Sequence, residues 1–342
     1  MIPNFQKKEK PTLVGENKRF TKEFFKKLLR SDPQNYYSVP NLNEVLYIHY
    51  LGAERIECLE EFTDLRVIYL EGNCISEIEG LDNQEKLRCL YLHENLIKKI
   101  ENLGNQEQLV SLNLSDNLIS KIENLHKNPN LESLQLKRNR IGINGLSDIS
   151  ELARYKKLSS LDLSNNYIDC ENWEDFVKVF EQMDSLAVLY LQNNPIINKI
   201  PNYRKTMVAR LKGLKYLDDR PVFDEDRRFA EAFYHHGPEA ERQERKKFKE
   251  EEEEKHLRNH LAFKQMLYAN RREANPEREN QDANSMSEHT GRDANDSHNT
   301  SQLETYESEN SHSKKVDESL SHNDSMSVKS ENLMELKLED LD

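Results

Sequence analysis

The chain has 342 residues, 49 Lys+Arg against 62 Asp+Glu, and a formal net charge of −13. With 36% hydrophobic and 32% charged residues it is too polar to fold throughout as one globule, and its acidity argues against a general nucleic-acid binder. Its apolar runs are too short to span a membrane, the start MIPNFQKKEK lacks the apolar core of a signal peptide, and four cysteines without a CxxC pair point to reduced thiols in a cytosol-like compartment.

Residues 1–41 form a basic N-terminal segment, with nine Lys/Arg and three Glu in the first thirty positions. Phe20, Phe24, Leu28 and Leu29 fall on one face of an amphipathic helix, which suits the cap of a stacked array.

From residue 42 the chain repeats itself. The frame L-x-x-L-x-L-x-x-N recurs at Leu65–Asn73, Leu87–Asn95, Leu109–Asn117, Leu131–Asn139, Leu158–Asn166 and Leu186–Asn194, and the first four copies advance by 22 residues. A second marker, I-E-x-L, starts at Ile56, Ile78, Ile100 and Ile122 in the same register. Such a pattern predicts an α/β leucine-rich repeat solenoid over residues 42–222, with parallel strands on the concave face and 3₁₀ or α turns on the convex face. In a strand, L-x-L sends both leucines inward because side chains alternate with period two. The frame's asparagines, Asn73, Asn95, Asn117, Asn139, Asn166 and Asn194, are expected to turn inward as a ladder that satisfies buried backbone groups of adjacent coils. The threefold steps Ile75–Ile78–Leu81, Ile97–Ile100–Leu103 and Ile119–Ile122–Leu125 suit a 3₁₀ turn. The longer intervals after Asn139 and Asn166 leave room for helices, with Trp173, Phe176, Val177 and Phe180 at helical spacing.

The residue between the last two apolar positions of each frame faces outward on the concave side. That column reads Tyr47, Tyr69, Tyr91, Asn113, Gln135, Asp162 and Tyr190, and beside it run His93, Lys137 and Arg138. These positions form the candidate partner-binding face, with Tyr47, Tyr69 and Tyr91 as an amphipathic stripe of the kind enriched in interface hot spots. Tyrosine also suits strands for their own sake. Tyr203, Val208, Leu211, Leu214 and Leu217 suit a closing helix and strand at the C-terminal end.

Residues 223–275 form a charged helical extension containing the run Glu250–Glu254, with Leu257, Leu261 and Leu267 too short a stripe for a coiled coil. Residues 276–342 carry six Lys/Arg and seventeen Asp/Glu, no Phe, Ile or Trp, and only eight Leu or Val; they read as a disordered acidic tail. His235–His236 lacks partners at zinc spacing, and His93–Glu94 lacks a converging nucleophile, so neither reads as a metal or catalytic site.

Some segments are more specific than the repeat. Asn194–Pro195, Ile200–Pro201–Asn202–Tyr203–Arg204, Tyr216–Leu217–Asp218–Asp219–Arg220–Pro221–Val222–Phe223 and Asp226–Arg227 resemble the dynein axonemal assembly factor 1 family, as do Thr21–Lys22–Glu23 and Leu42 to Tyr50. The 22-residue repeat subclass also resembles leucine-rich regulators of type-one protein phosphatase. The first resemblance implies a non-enzymatic cytosolic scaffold, with possible residence at the cilium or its base, needed for preassembly of axonemal dynein arms. It further implies dynein chains, chaperones or other assembly factors as partners, and no cofactor, nucleic acid, membrane or small-molecule substrate. The second implies a phosphatase regulatory subunit. Within the first resemblance, Tyr203, Arg204, Asp218, Asp219 and Arg220 form a C-terminal cap whose carboxylates hold nearby donors or Arg204.

Overall fold

The computed structural model describes residues 18–274; the expected acidic tail and the first seventeen residues of the basic segment lie outside them. The chain divides into two units, residues 1–262 and 263–342. Among the described residues no helix is long and apolar enough to cross a membrane.

In the first unit, nine short strands form one sheet in sequence order: β1 (Val45–Tyr47), β2 (Val67–Tyr69), β3 (Cys89–Tyr91), β4 (Ser111–Asn113), β5 (Ser133–Gln135), β6 (Ser160–Asp162), β7 (Val188–Tyr190), β8 (Tyr216–Leu217) and β9 (Arg220–Pro221). The first eight are parallel and β9 turns back antiparallel. Register follows the repeat: Leu46 pairs with Ile68, Ile68 with Leu90, and Leu90 with Leu112. Strands β1 to β7 are only three residues long because the frame supplies two inward apolar positions per coil, and stacking, not strand length, makes the core. The frame leucines and the isoleucines of the second marker are fully buried in one continuous core.

The asparagines form a buried ladder. Asn73 Oδ1 accepts from the amides of Leu51 (3.1 Å) and Ala53 (2.9 Å), while its Nδ2 donates to the carbonyls of Ile48 (3.0 Å) and Leu70 (2.8 Å). Asn95, Asn117, Asn139, Asn166 and Asn194 repeat this reach to the preceding coil. The residue before each rung is left-handed: Gly72, Glu94, Asp116, Arg138, Asn165 and Asn193 all have φ between 51° and 65°. This kink swings the following amide inward, and short polar residues and glycine tolerate it best.

A second ladder runs along the convex side at the same 22-residue step. Gln84 donates to the carbonyls of Leu59 (2.8 Å) and Phe62 (3.2 Å), Gln106 to Leu81 (2.7 Å), and Asn128 to Leu103 (2.9 Å) and Gln106 (2.8 Å). The threefold stretches expected to form 3₁₀ turns do otherwise. Ile75, Ile78 and Leu81 are buried from an irregular, non-helical chain, and the i to i+3 bonds come just after them, Gln84 N to Leu81 O (3.2 Å) and Leu87 N to Gln84 O (3.2 Å). The 3₁₀ pieces lie at Pro40–Leu42 before the first strand, at Gly145–Asp148 and Ser150–Arg154 in the long coil after Asn139, and at Pro195–Lys199 after the last rung. After the N-terminal helix α1 (Lys22–Ser31), the next helix, α2, lies in the long coil after Asn166; it spans Trp173–Glu181 and buries Phe176, Val177, Val179 and Phe180.

Both ends are covered. Helix α1 is capped by Thr21, whose hydroxyl accepts the Phe24 amide, and buries Phe24, Phe25, Leu28 and Leu29 over the first coil. Phe25 and Phe62 meet edge to face at 5.1 Å. At the other end, α3 (Tyr203–Arg210) precedes β8, and α4 (Asp224–His236) packs on α3. Arg227 of α4 donates to the carbonyls of Val208 (2.7 Å), Leu211 (3.1 Å) and Leu214, at and just after the end of α3, where helical amides no longer supply partners. Helix α5 (Pro238–Ala274) begins after Gly237. Within the first unit it is held by ionic, cation–π and aromatic contacts: Arg228 pairs with Glu244 and Glu251 and lies over the Phe248 ring, Phe248 meets Phe229 edge to face at 5.6 Å, Arg245 lies over Phe229, and Lys205 reaches Glu241 at 2.6 Å. Leu257 and Leu261 are exposed. In the second unit the described residues are the last turns of this helix, where Leu267 is also exposed.

Candidate protein-docking face

The concave column is divided. Its first three rungs are aromatic: Tyr69 stacks on Tyr47 at 4.9 Å and 13°, and on Tyr91 at 4.7 Å and 7°. These spacings are the strand separation itself, because each ring stands on the same position of neighbouring parallel strands. The rings cover one another's faces and present their edges outward. Burial between neighbours raises the Tyr69 phenol and pushes the Tyr91 phenol up to about 12, so both are neutral at physiological pH. Half-buried Val45, Val67 and Cys89, two positions earlier, extend the stripe into an apolar strip.

A shelf flanks the stripe where the strands end. Tyr50 is 61% exposed, and its hydroxyl donates to Glu94 Oε2 at 3.3 Å, two coils away. The ring can cross the intervening coil because Gly72 stands there: a Cβ on Gly72 would lie 2.1 Å from the Tyr50 ring. His49 meets Tyr47, Tyr50 and Tyr69 edge to face, and its Nδ1 stands 3.8 Å from Glu71 Oε1. The opposite flank carries Glu44, Arg66 and Arg88, with Arg66 paired to Glu44 at 3.3 Å and Arg88 exposed.

From the fourth rung the column is polar and partly committed to its own coil. Asn113 accepts the Ser115 amide (3.0 Å), and Asp162 accepts the amide and hydroxyl of Ser164 (2.8 and 2.6 Å). Arg138 pairs with Asp116. Gln135 and Lys137 lie half-buried in this sector, and His93 half-buried beside the third tyrosine. Tyr190 belongs to a separate aromatic pair with Tyr216, 5.8 Å away at the far end. The structure therefore brings together Tyr47, Tyr69 and Tyr91, and leaves Tyr190 apart from them. Tyr50, His49 and Gly72 complete the aromatic sector and were missed by the column rule. The signal for Tyr50 was an aromatic in the place where later coils carry Glu94, Asp116 and Arg138.

The C-terminal cap interlocks the two specific segments. Asp218 Oδ1 accepts the amides of Leu191 (2.7 Å) and Gln192 (3.0 Å), and Oδ2 accepts the Tyr203 hydroxyl at 2.9 Å. Burial and the Asp218 carboxylate raise the Tyr203 phenol well above its ordinary value. Arg204 is not held by Asp218, as the alternative reading had it. It donates to the carbonyls of Leu217 (3.3 Å) and Pro221 (2.6 Å), because the β8–β9 turn presents carbonyls rather than the carboxylate on that side. Asp219 and Arg220 are exposed at the turn, 3.9 Å apart.

A parallel sheet of short strands, one per coil and linked by an asparagine ladder, defines the class. A family profile described as leucine-rich repeat matches residues 67–247, and the chain belongs to the leucine-rich repeat family. Within it, the chain is 55% identical over 242 residues to the dynein axonemal assembly factor 1 homolog of Drosophila erecta, a match covering 69% of this chain and 15% of that protein. It is 51% identical over 237 residues to the leucine-rich repeat-containing protein ODA7 of Chlamydomonas reinhardtii, covering 69% and 54%. It is 56% identical over 237 residues to dynein axonemal assembly factor 1 of Peromyscus californicus, covering 69% and 37%. The chain thus spans between about a seventh and about half of the length of these relatives. Among solved structures, an internalin of Listeria monocytogenes has a TM-score of 0.45 at 28% identity, covering 54% of this chain and 50% of that one. The resemblance drawn from the segments around Tyr203 and Asp218 is met by these relatives.

Proposed function

We propose that this protein is a non-enzymatic binding scaffold for the cytoplasmic preassembly of axonemal dynein arms, on which cilium structure and motility depend. Its partners are axonemal dynein chains, chaperones or other assembly factors, and its docking face is the aromatic sector of the concave sheet. The observation that carries the reading is the 51–56% identity, over 69% of this chain, with proteins named dynein axonemal assembly factor 1 and leucine-rich repeat-containing protein ODA7. A rigid solenoid supports it physically, because an exposed aromatic sector on a preorganised sheet loses little conformational freedom on binding. Its place of action is the cytoplasm, with residence at the ciliary base as the finer proposal.

The test is affinity purification of the full chain from cytosolic extract of ciliated cells, followed by mass spectrometry. Axonemal dynein heavy or intermediate chains should come down with chaperones. Tyr69→Ala combined with Tyr91→Ala should abolish that capture while leaving the melting curve near wild type. Capture of a phosphatase catalytic subunit without dynein chains would replace this reading by the regulatory-subunit one. Undiminished capture by the double variant would remove the docking face from the stripe.

A further inference from the structure

We infer that the partner element seated on the aromatic sector is an amphipathic α-helix lying across the strands, parallel to the line Tyr47–Tyr69–Tyr91. This deepens the docking reading above and rests on it.

Spacing is the first argument. The three rungs stand 4.9 and 4.7 Å apart. A helix laid along them presents a side chain on one face about every 5.4 Å, so residues i, i+3 or i+4, and i+7 stay in step with the three rungs to within about 1 Å in all. An extended strand on the same line presents a side chain to one face only every ~6.6 Å and falls out of step by about 2 Å per rung. The rings' stacking also leaves shallow grooves between their outward edges. Apolar side chains of a helix can sit in these grooves and against Val45, Val67 and Cys89 beside them.

Charge is the second argument, and it sets the helix's two flanks. Glu71 and Glu94 border the stripe where the strands end; where they begin stand Glu44, Arg66 and Arg88, with Arg66 paired to Glu44 and Arg88 exposed. Arg88 has no ion pair among the described residues, and Glu71 Oε2 is buried without a hydrogen-bond partner. A helix with Lys or Arg along one flank of its apolar stripe meets Glu71 and Glu94, and Asp or Glu on the other flank meets Arg88 and the outer side of Arg66. The aromatic sector ends at the fourth rung, where Asn113 turns back on its own coil, as Asp162 does on the sixth. The apolar contact is therefore about two helical turns long.

The experiment places p-benzoylphenylalanine at Tyr47, Tyr69 or Tyr91, one at a time, in the full chain. Each variant is photolysed in cytosolic extract of ciliated cells, and the cross-linked residues are sequenced. The expected result is one partner segment joined at i from the first position, i+3 or i+4 from the second and i+7 from the third. Lys or Arg should line one flank of that segment and Asp or Glu the other. Cross-links to alternate residues of one segment, or scattered over several, would overturn the helix while leaving the docking face in place. Cross-links absent at all three positions, with the same partners still captured, would overturn the docking face as well. Alanine scanning of the captured segment against the wild-type chain gives a second readout that needs no change in this protein. Loss of binding of tenfold or more at i, i+3 or i+4, and i+7 is expected, and loss at every second residue contradicts the helix.

Discussion

The hydroxyl of Tyr36 accepts the backbone amide of Tyr47 at 3.1 Å and lies 3.5 Å from the Tyr47 carbonyl oxygen. Tyr47 is in β1, the first strand of the sheet, so a side chain occupies the backbone groups that another strand would otherwise pair with. Tyr36 is buried, and burial pushes its phenol up to about 12, which keeps it neutral at the edge. Tyr36→Phe should destabilise the protein by about 1–3 kcal/mol, the cost of a buried amide left unpaired. Hydrogen exchange at the Tyr47 amide should accelerate while the amides of β4 and β5 keep their protection. Unchanged exchange at Tyr47 would mean the hydroxyl is not its partner in solution.

The asparagine ladder makes a sharper demand in the middle of the array. Asn117 is buried and joins the Ile97 amide to the carbonyls of Leu92, Leu114 and Ser115. Asn117→Leu should cost about 1–3 kcal/mol, because the buried Ile97 amide loses its partner, while the Leu92, Leu114 and Ser115 carbonyls keep donors in Asn95, Asn139 and the Glu94 amide. Leu112→Arg, which places a charge at a fully buried frame position, should unfold much of the solenoid. Thermal melts read both, and a cooperative melt of Leu112→Arg within a few degrees of wild type would contradict the core assignment.

At the far end the same task falls to a carboxylate. Asp218 takes two amides of the preceding coil and the Tyr203 hydroxyl. Asp218→Ala should lower stability by about 1–3 kcal/mol and expose β8 and β9 to limited proteolysis before the central coils. Tyr203→Phe should give a smaller loss of the same kind. Equal protease resistance in both variants and wild type would show that the cap holds without this network.

Docking of α5 within the first unit should respond to acid. The Arg228 guanidinium holds the Glu251 carboxyl below its ordinary value. At Glu241, burial opposes the shift, but hydrogen bonds from Lys205 and Arg245 still bring the net value down. A depressed folded-state pKa contributes stability that is fully present above the unfolded value of about 4.3 and is lost as pH falls through the folded one. Hydrogen exchange of residues 238–251 should therefore be slow and nearly level from neutral pH down to about 5, after correction for intrinsic rates, and protection should fall below about 4. Arg228→Ala should flatten much of that dependence; an unaltered acid response would assign it to other carboxylates.

Gly72 offers a test of the concave shelf. Its left-handed φ of +65° and the Tyr50 ring above it leave no room for a methyl group. Gly72→Ala should displace the Tyr50 ring and break its bond to Glu94, at a cost of about 1–2 kcal/mol from the backbone conformation alone. Near-ultraviolet circular dichroism should report the change in the tyrosine environment, whereas an unchanged spectrum would place Tyr50 away from Gly72.

Much of this molecule is legible in its repeat. A period of 22 residues stacks like on like, so one coil's apolar pattern foretells the burial of Leu112, the parallel register of Leu46 with Ile68, and the inward turn of Asn117. These follow from local alternation and from the rule that buried backbone groups find partners, and neither needs knowledge of distant contacts. Tertiary structure alone decided the rest, because each remaining feature depends on which unlike residues meet. Tyr36 reaches Tyr47 only after a turn outside the repeat, Tyr50 reaches Glu94 only because Gly72 lies between them, and Asp218 takes Tyr203 rather than Arg204 because the β8–β9 turn faces that way. The second ladder of Gln84, Gln106 and Asn128 shares the 22-residue step, yet it could be assigned only once the convex chain was seen to be irregular instead of 3₁₀. Periodicity specifies what every coil does alike; contacts at the ends and across the concave face depend on residues that occur once, and their geometry exists only when the stack has closed.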